Sequence, residues 1–556
     1  MFRSARPASD RRRPVRRRRP AIRLPACAAA FLALVLAGAA GASTEPPKLH
    51  FTPAEIAFAE QVARVPGLAA FYGGNGLSPV FTGPEARARR AALLAAVEAA
   101  PEHGLPPARY RPERLRLLVA TDDTDPALEL ELARLFALWV QDVSAGLIDP
   151  RKADRAIKRA PEGADIAALL AAFAGAADPA AVLARAAPAD PRYAVLKAAL
   201  ARARGTAVPE GTPPAPEGLW RPGDQGADVA ALRARLAAAG FPAAGEATLY
   251  DDALAAAVAG FQEAAGLPVD GIAGPQTIAR LNAPPGRGPR DLLVAMERLR
   301  WLPEDLAEGE ERYIWVNLPE FSAAIIEGGA RVFETKVVIG KTDPDMQTPE
   351  FSERMRHVVA NPRWNVPRSI AVKEYLPRLK QNPNAAGHLK IVDRAGRVVP
   401  RSAIDFSRYS ASSFPYRLVQ APSDDNALGV VKFLFPNPWN IYLHDTPSKG
   451  LFANAVRAYS HGCVRVARPL DLAHALLSGQ VEDPAATFAA ALRAGGERYL
   501  TLKPTVPIHL VYFTTLPDEG GTIRHYRDIY GRDARVWAAL EAALDARPDE
   551  VVASAE

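Results

Sequence analysis

The 556-residue chain has almost no cysteine: two residues, Cys27 and Cys463. Cys27 lies in a segment read below as a leader, so Cys463 is left without a partner and a disulfide framework is excluded. An unpaired thiol in an exported protein oxidises easily and tends to persist where its reactivity is used. Excess basic charge is also missing from most of the chain. The formal charge is +6, but residues 1–42 hold ten Arg, no Lys and one acidic residue, a net of +9, which leaves about −3 for the rest. A nucleic-acid or anionic-surface binder is therefore not expected. Past the leader no stretch approaches 18 uninterrupted apolar residues, so no further membrane span is predicted.

What is present begins with an arginine-rich start (Arg11 to Arg13, Arg16 to Arg19, Arg23) and an apolar run from Ala26 to Ala42. The run ends in Ala40-Gly41-Ala42, the small-residue pattern of a signal-peptide cleavage site. Residues 1–42 are read as an export signal, with an uncleaved N-terminal anchor as the one route to a membrane. The expected location is the periplasm. Cys27 precedes the apolar core, which argues against a lipoprotein anchor.

Residues 49–204 are Ala- and Leu-rich with helical periodicity and predict a helical domain with no visible chemistry. Residues 205–218 read as a Pro/Gly/Ala linker. A short module over 219–283 predicts three helices, with Asp251 at an N-cap position and Gly274-Pro275 opening the third. From 290 to 515 the pattern turns strand-rich, with strands expected over Tyr313–Leu318, Phe321–Ile326, Phe333–Ile339, Val430–Phe435, Ile441–His444 and Val506–Phe513. The reading is a multidomain α+β protein: a helical domain, a three-helix module, and a mostly β domain. An insertion over about 350–430 interrupts the last of these, and 516–556 is expected to be helical.

The chemistry gathers around Cys463, in Ser460-His461-Gly462-Cys463-Val464-Arg465. Fifteen residues separate His444 from Ser460. A thiol of ordinary pKa about 8.5 needs a base or a nearby cation to act as a nucleophile at neutral pH. His444 and His461 are both candidates, and spacing alone does not choose between them. The amides of Gly462 and Cys463 would suit an oxyanion hole. Arg465 would favour the thiolate or fork onto a substrate carboxylate. Tyr442 and Trp439 lie near His444, and Trp364 lies in the insertion; each is a candidate lining residue beside the plainer alternative of packing.

Together, His444, the fifteen-residue gap and SHGCVR, with Thr348-Pro349 upstream, resemble the active-site signature of L,D-transpeptidases with a YkuD-type domain. Asn361 to Pro367, Gln420-Ala421-Pro422, Asn426 to Gly429 and Asp528 to Asp533 resemble the large YcbB-type subclass. The module around Arg221-Pro222-Gly223-Asp224, Phe261-Gln262 and Gly266 to Gly271 resembles a peptidoglycan-binding domain. The resemblance implies Cys463 as nucleophile and His444 as proton donor and acceptor. His461, Ser460 and Gly462 become supporting residues. It further implies a scaffold domain, a capping subdomain formed by the insertion, and peptidoglycan stem peptides and glycan strands as partners. Penem β-lactams are expected to acylate Cys463. No metal or other cofactor is implied.

One departure is Asp445, where a Gly often follows the base. A hydrolase using the same thiol would differ only in its acceptor. A zinc peptidase would have to use His444, Asp445 and His461, and no H-E-x-x-H occurs. A serine penicillin-binding enzyme is excluded because no S-x-x-K occurs. A non-catalytic cell-wall scaffold would leave the thiol site unexplained.

Overall fold

The computed structural model describes residues 52–205, 212–265, 267–282, 288–303, 306 and 312–546. The expected leader, Cys27 and linker residues 206–211 lie outside the described residues. No described helix is long and apolar enough to cross a membrane.

The N-terminal part is helical, as its periodicity dictates. Its longest helix, Pro126–Ala145, starts where the Asp125 carboxylate caps the Ala127 amide, with Pro at the first position. Its apolar face (Leu132, Phe136, Val140, Val143) joins Leu68, Phe81, Leu93 and Phe173 in one core. Glu129 on the same helix is buried yet fully used. It accepts the amides of Val80, Phe81 and Thr82 and the hydroxyls of Tyr72 and Thr82.

The short module folds as helices Ala227–Ala238, Asp252–Ala265 and Pro275–Leu281. Asp251 does cap the second: its Oδ1 accepts the Leu254 amide at 2.8 Å. Gln262 explains why an F-Q pair and a G-L-P-V-D-G run travel together. Its amide nitrogen donates to Asp270, Ile272 and Thr277, and its oxygen accepts the amides of Asp270 and Gly271.

The C-terminal half is built on a nine-stranded mixed sheet. Its strands are β1 (Arg312–Asn317), β2 (Ser322–Glu327), β3 (Ala330–Gly340), β4 (Phe351–Ala360), β8 (Val431–Leu434), β9 (Leu443–His444), β10 (Ala458–Ser460), β11 (Val464–Val466) and β12 (Arg498–Val511). Between β4 and β8 the insertion carries β5 (Trp364–Asn365), β6 (Leu389–Val392) and β7 (Arg417–Gln420). The large sheet runs β10-β3-β11-β9-β8-β4-β12-β1-β2, and β2 also pairs with β3, so eight strands close into a barrel with β10 added at the end of β3. Ile314, Val358, Phe433, Leu443, Val464 and Ile508 fill its interior, each at 0% exposure. Burial of such side chains stabilises by about 1.5–3 kcal/mol apiece.

Two expectations about boundaries need correction. The insertion begins after Ala360, not near 350, because Phe351–Ala360 is a barrel strand paired with both β12 and β8. What remains, 361–430, forms its own small antiparallel sheet in the order β5-β7-β6 and a helical stretch over 368–381. Its separate core includes Ile370, Leu376, Ile391, Phe406 and Leu418. The segment after 515 is not uniformly helical: β13 (Thr515–Pro517) and β14 (Ile523–His525) form a hairpin before the terminal helix Arg532–Asp545.

The helical domain is joined to the barrel through buried polar groups. Ile157 bridges Glu350 in parallel fashion, with Lys158 N donating to Glu350 O and Glu350 N to Ala156 O, both at 2.9 Å. The Glu350 carboxylate takes Arg298 at 2.8 Å and Arg532 at 3.1 Å. This seats the loop 154–159 against the barrel mouth.

Candidate functional site

The site follows from strand periodicity. β9 and β11 are parallel neighbours with Val464 opposite Leu443 and Arg465 opposite His444. One residue earlier, the Val464 amide donates to the Tyr442 carbonyl at 3.1 Å, which places Cys463 beside Tyr442. Side chains alternate along a strand. Leu443, Val464 and Val466 therefore enter the barrel core, while Tyr442, His444, Cys463 and Arg465 share the other face. The sequence shows the same alternation in Y-L-H and C-V-R-V.

That face forms the floor of a cavity of about 1180 Å³. Ser460, His461, Trp439 and Trp364 also line it, with Arg155 and Lys158 of the helical domain and Glu374 of the insertion. Thus the cavity is walled by three parts of the chain. Of the expected site residues, Gly462 alone does not line it.

The protonation states are set by burial. His444 is buried, and its Nδ1 donates to the Asp445 carbonyl at 2.5 Å, which leaves Nε2 as the lone-pair nitrogen. Burial, with the Arg465 charge adding to it, pushes the imidazole pKa down to about 3. Burial also pushes the Cys463 thiol up to about 11, against the pull of hydrogen bonds from Tyr442 and the charge of Arg465. Both groups are neutral at pH 7, and the thiol donates to the Asn440 carbonyl at 3.6 Å. The resting site is therefore a thiol–imidazole pair, not a thiolate–imidazolium pair.

Tyr442 is held as a phenol: burial raises its pKa well above the ordinary value, and the adjacent thiol adds to the effect. Its hydroxyl interacts with both Cys463 and Trp364 of the insertion. Trp439 packs on Phe351 with ring centroids 4.7 Å apart, so its packing and its place in the cavity wall coexist. His461 faces away from any base role: its Nε2 is bonded to the Glu374 carboxylate of the insertion.

The oxyanion-hole expectation changes. Gly462 N–H is committed to Ser460 Oγ at 3.1 Å, and Ser460 Oγ in turn donates to the Cys463 carbonyl at 2.5 Å. Of the two amides expected to form the hole, only that of Cys463 is left for an incoming oxygen. Gly462 itself sits at φ +112°, a region where a side chain is strained, so glycine is required for the turn.

Asp445 turns out of the cavity. Its carboxylate accepts the amides of Val430 at 3.0 Å and Thr446 at 2.6 Å and pairs with Lys449. It ties the returning end of the insertion to β9. With His444 Nδ1 on a carbonyl and His461 on Glu374, the three side chains once considered as zinc ligands do not converge. Among the described residues no group of three His, Cys, Asp or Glu is arranged to hold a metal ion.

Sequence reasoning missed Asn440, Glu374, Arg155 and Lys158. Asn440 carries a signal in hindsight, since it is a non-glycine residue at φ +56° in a Pro-Trp-Asn turn. The others are brought in by tertiary packing and have no local signature.

Three spans of the chain match known protein families. Residues 311–483 match the YkuD family, the L,D-transpeptidase catalytic domain. Residues 66–200 match a scaffold domain and 225–281 a peptidoglycan-binding domain. The chain thus carries a YkuD-type L,D-transpeptidase catalytic domain. It is 35% identical over 249 residues to a Haemophilus influenzae protein named "Putative L,D-transpeptidase", covering 44% of this chain and 48% of that one. The chain thus spans about half the length of that curated relative. Two solved structures share less: an L,D-transpeptidase fragment from Xylanimonas cellulosilytica (19% identical, 54% of this chain and 100% of that one, TM-score 0.15) and a fused Zn-dependent amidase/peptidase/peptidoglycan-binding protein from Clostridium acetobutylicum (13%, 53% and 100%, TM-score 0.14). Overlaps that slight carry no argument about this chain.

Proposed function

We propose that this protein is a peptidoglycan L,D-transpeptidase acting outside the cytoplasm, in the periplasm. The observation that carries the reading is the paired strand ends that set Cys463 beside Tyr442 and Arg465 beside His444 on one cavity floor. The donor is a tetrapeptide stem. His444 Nε2 accepts the thiol proton as Cys463 Sγ bonds to the carbonyl carbon of the diamino acid. The carbonyl oxygen becomes an oxyanion facing the Cys463 amide. When the tetrahedral intermediate collapses, the C–N bond breaks and imidazolium His444 returns its proton to the departing D-Ala amine. A thioester remains on Cys463. The side-chain amine of a second stem then attacks it, passing its proton to His444, and a 3→3 cross-link leaves with the thiol restored.

Because thiol and imidazole are both neutral at rest, the proton moves only as the carbonyl is attacked. That keeps the thiol from oxidising while the cavity is empty. Arg465 neutralises charge developing on sulfur and oxygen. The module over 225–281 would keep glycan strands near the cavity and raise the effective concentration of both stems.

The test is incubation of the full chain with purified tetrapeptide muropeptides, read by mass spectrometry. Cross-linked dimers and free D-Ala are expected, and Cys463→Ala should yield neither. Tripeptides without dimers would make the enzyme an L,D-carboxypeptidase. Normal D-Ala release by Cys463→Ala would sink the thiol mechanism.

A further inference from the structure

The segment after β14 lies beyond all three matched spans, and the reaction as proposed calls on none of it. Its side chains nevertheless reach the backbone under the nucleophile. Tyr530 Oη donates to the Gly340 carbonyl at 2.6 Å and accepts the Thr348 amide at 3.4 Å. Arg532 Nη2 donates to the Thr348 carbonyl at 2.7 Å. Its guanidinium is fully buried, paired with Glu350 and lying over the Tyr512 and Tyr530 rings at 5.0 and 4.7 Å. Thr348 is therefore held on both sides of its own backbone by one terminal element.

What Thr348 does with that rigidity is specific. Its Oγ1 accepts the Gly340 amide at 2.9 Å and donates to the Gly462 carbonyl at 2.7 Å. The approach is close: a Cβ on Gly340 would lie 2.0 Å from the Met346 carbonyl oxygen. The Gly462 carbonyl and the Cys463 N–H belong to one peptide plane and, in a trans peptide, point in opposite directions. A hydroxyl that fixes the carbonyl on the buried side fixes the N–H on the other. Ser460 has already taken the Gly462 amide, so the Cys463 amide is the donor whose direction matters.

We infer that Thr348, held by Tyr530 and Arg532, is a positioning residue that aims the Cys463 amide at the oxyanion. The inference rests on the acyl-transfer reading above. It makes the terminal segment part of the catalytic apparatus although none of its residues lines the cavity.

The test separates attack on a carbonyl from attack without an oxyanion. The full chain is treated either with a penem β-lactam, which forms an oxyanion as it acylates Cys463, or with iodoacetamide, whose iodide is displaced by sulfur directly. Intact mass gives both rates. Thr348→Val should slow acylation by about 10–100-fold, in the range of a weakened oxyanion donor, and leave alkylation within about 2-fold. Thr348→Ser, which keeps the hydroxyl, should recover most of the loss. Tyr530→Phe should slow acylation by about 5–10-fold with alkylation unchanged, and it decides the matter if Thr348→Val does not fold. Equal falls in both rates, or no fall in acylation, would overturn the inference while leaving the proposed function intact. A wild-type chain that neither reacts with the penem nor releases D-Ala would overturn both.

Discussion

Two of the places where this molecule buries charge treat it in opposite ways. At the junction between scaffold and barrel it is matched. Glu297 pairs with Arg300 at 2.8 Å and accepts the amides of Leu147 and Ile148 at 2.7 and 3.2 Å, while Arg298 spans Glu350 and Asp533. At Arg465 in the cavity floor it is not. Arg465 has a buried Nε with no hydrogen-bond partner, and it has no carboxylate within ion-pair distance among the described residues. A matched internal pair fixes how two parts seat, and breaking one is costly. An unmatched cation pays a desolvation penalty in the folded state, which a ligand carboxylate would relieve.

The contrast can be broken most forcefully at Glu297. Glu297→Ala strands Arg300 and two backbone amides, and should destabilise the full chain by about 3–5 kcal/mol in urea unfolding. The acylation rate per folded molecule should stay as it was, because Glu297 does not line the cavity. Arg465→Met should do the reverse. Acylation should fall by about 10–100-fold, while the urea midpoint stays level or rises, since burial already disfavours the Arg465 charge. If both variants moved stability in the same direction, the distinction between matched and reserved charge would fail.

The two regions also differ in what the sequence disclosed. The cavity floor is local in origin: a lone Cys463 has Arg465 beside it in one polar motif, and His444 with Tyr442 lies a fifteen-residue gap upstream of that motif, so all four were legible as candidates. The Gly462 amide was misjudged because Ser460 Oγ competes for it, and a hydrogen-bond choice of that kind leaves no mark in spacing. The junction was invisible. Glu297, Arg298, Glu350 and Arg532 look like ordinary surface charges in their own helices and loops until tertiary packing buries them. β4 was missed for a related reason: in Phe351–Ala360 charged residues interrupt the apolar pattern, and only pairing with two neighbours identifies a barrel strand.

The neutral resting pair gives a smaller but directional effect. A thiol shifted from 9.0 to about 11 holds about 100-fold less thiolate at pH 7. The more basic sulfur is intrinsically more nucleophilic and recovers about tenfold of that. Iodoacetamide should therefore alkylate Cys463 about 10-fold more slowly than a small free thiol at pH 7. Raising the pH removes the proton, so the rate should still be climbing at pH 9, short of a half-maximum near pH 11. A plateau at pH 6–7 would show a thiolate–imidazolium pair and place the proton on His444 before substrate arrives.

The smallest effect is expected at a matched charge in the cavity wall beside Cys463. Glu374 of the insertion bonds His461 next to Cys463, but the side chains are 43% and 28% exposed, so water screens the contact. Such a pair is worth about 0.2–1 kcal/mol, or less than about 5-fold in any equilibrium it biases. If Glu374 only helps hold the insertion over the cavity, Glu374→Gln should raise KM for the donor by about 2–3-fold and leave kcat alone, because the amide still accepts a hydrogen bond. A fall in kcat beyond about tenfold would mean that the carboxylate acts through His461 on the acyl-transfer step. The cavity would then hold a matched charge that serves chemistry, and pairing alone would no longer tell a structural charge from a functional one.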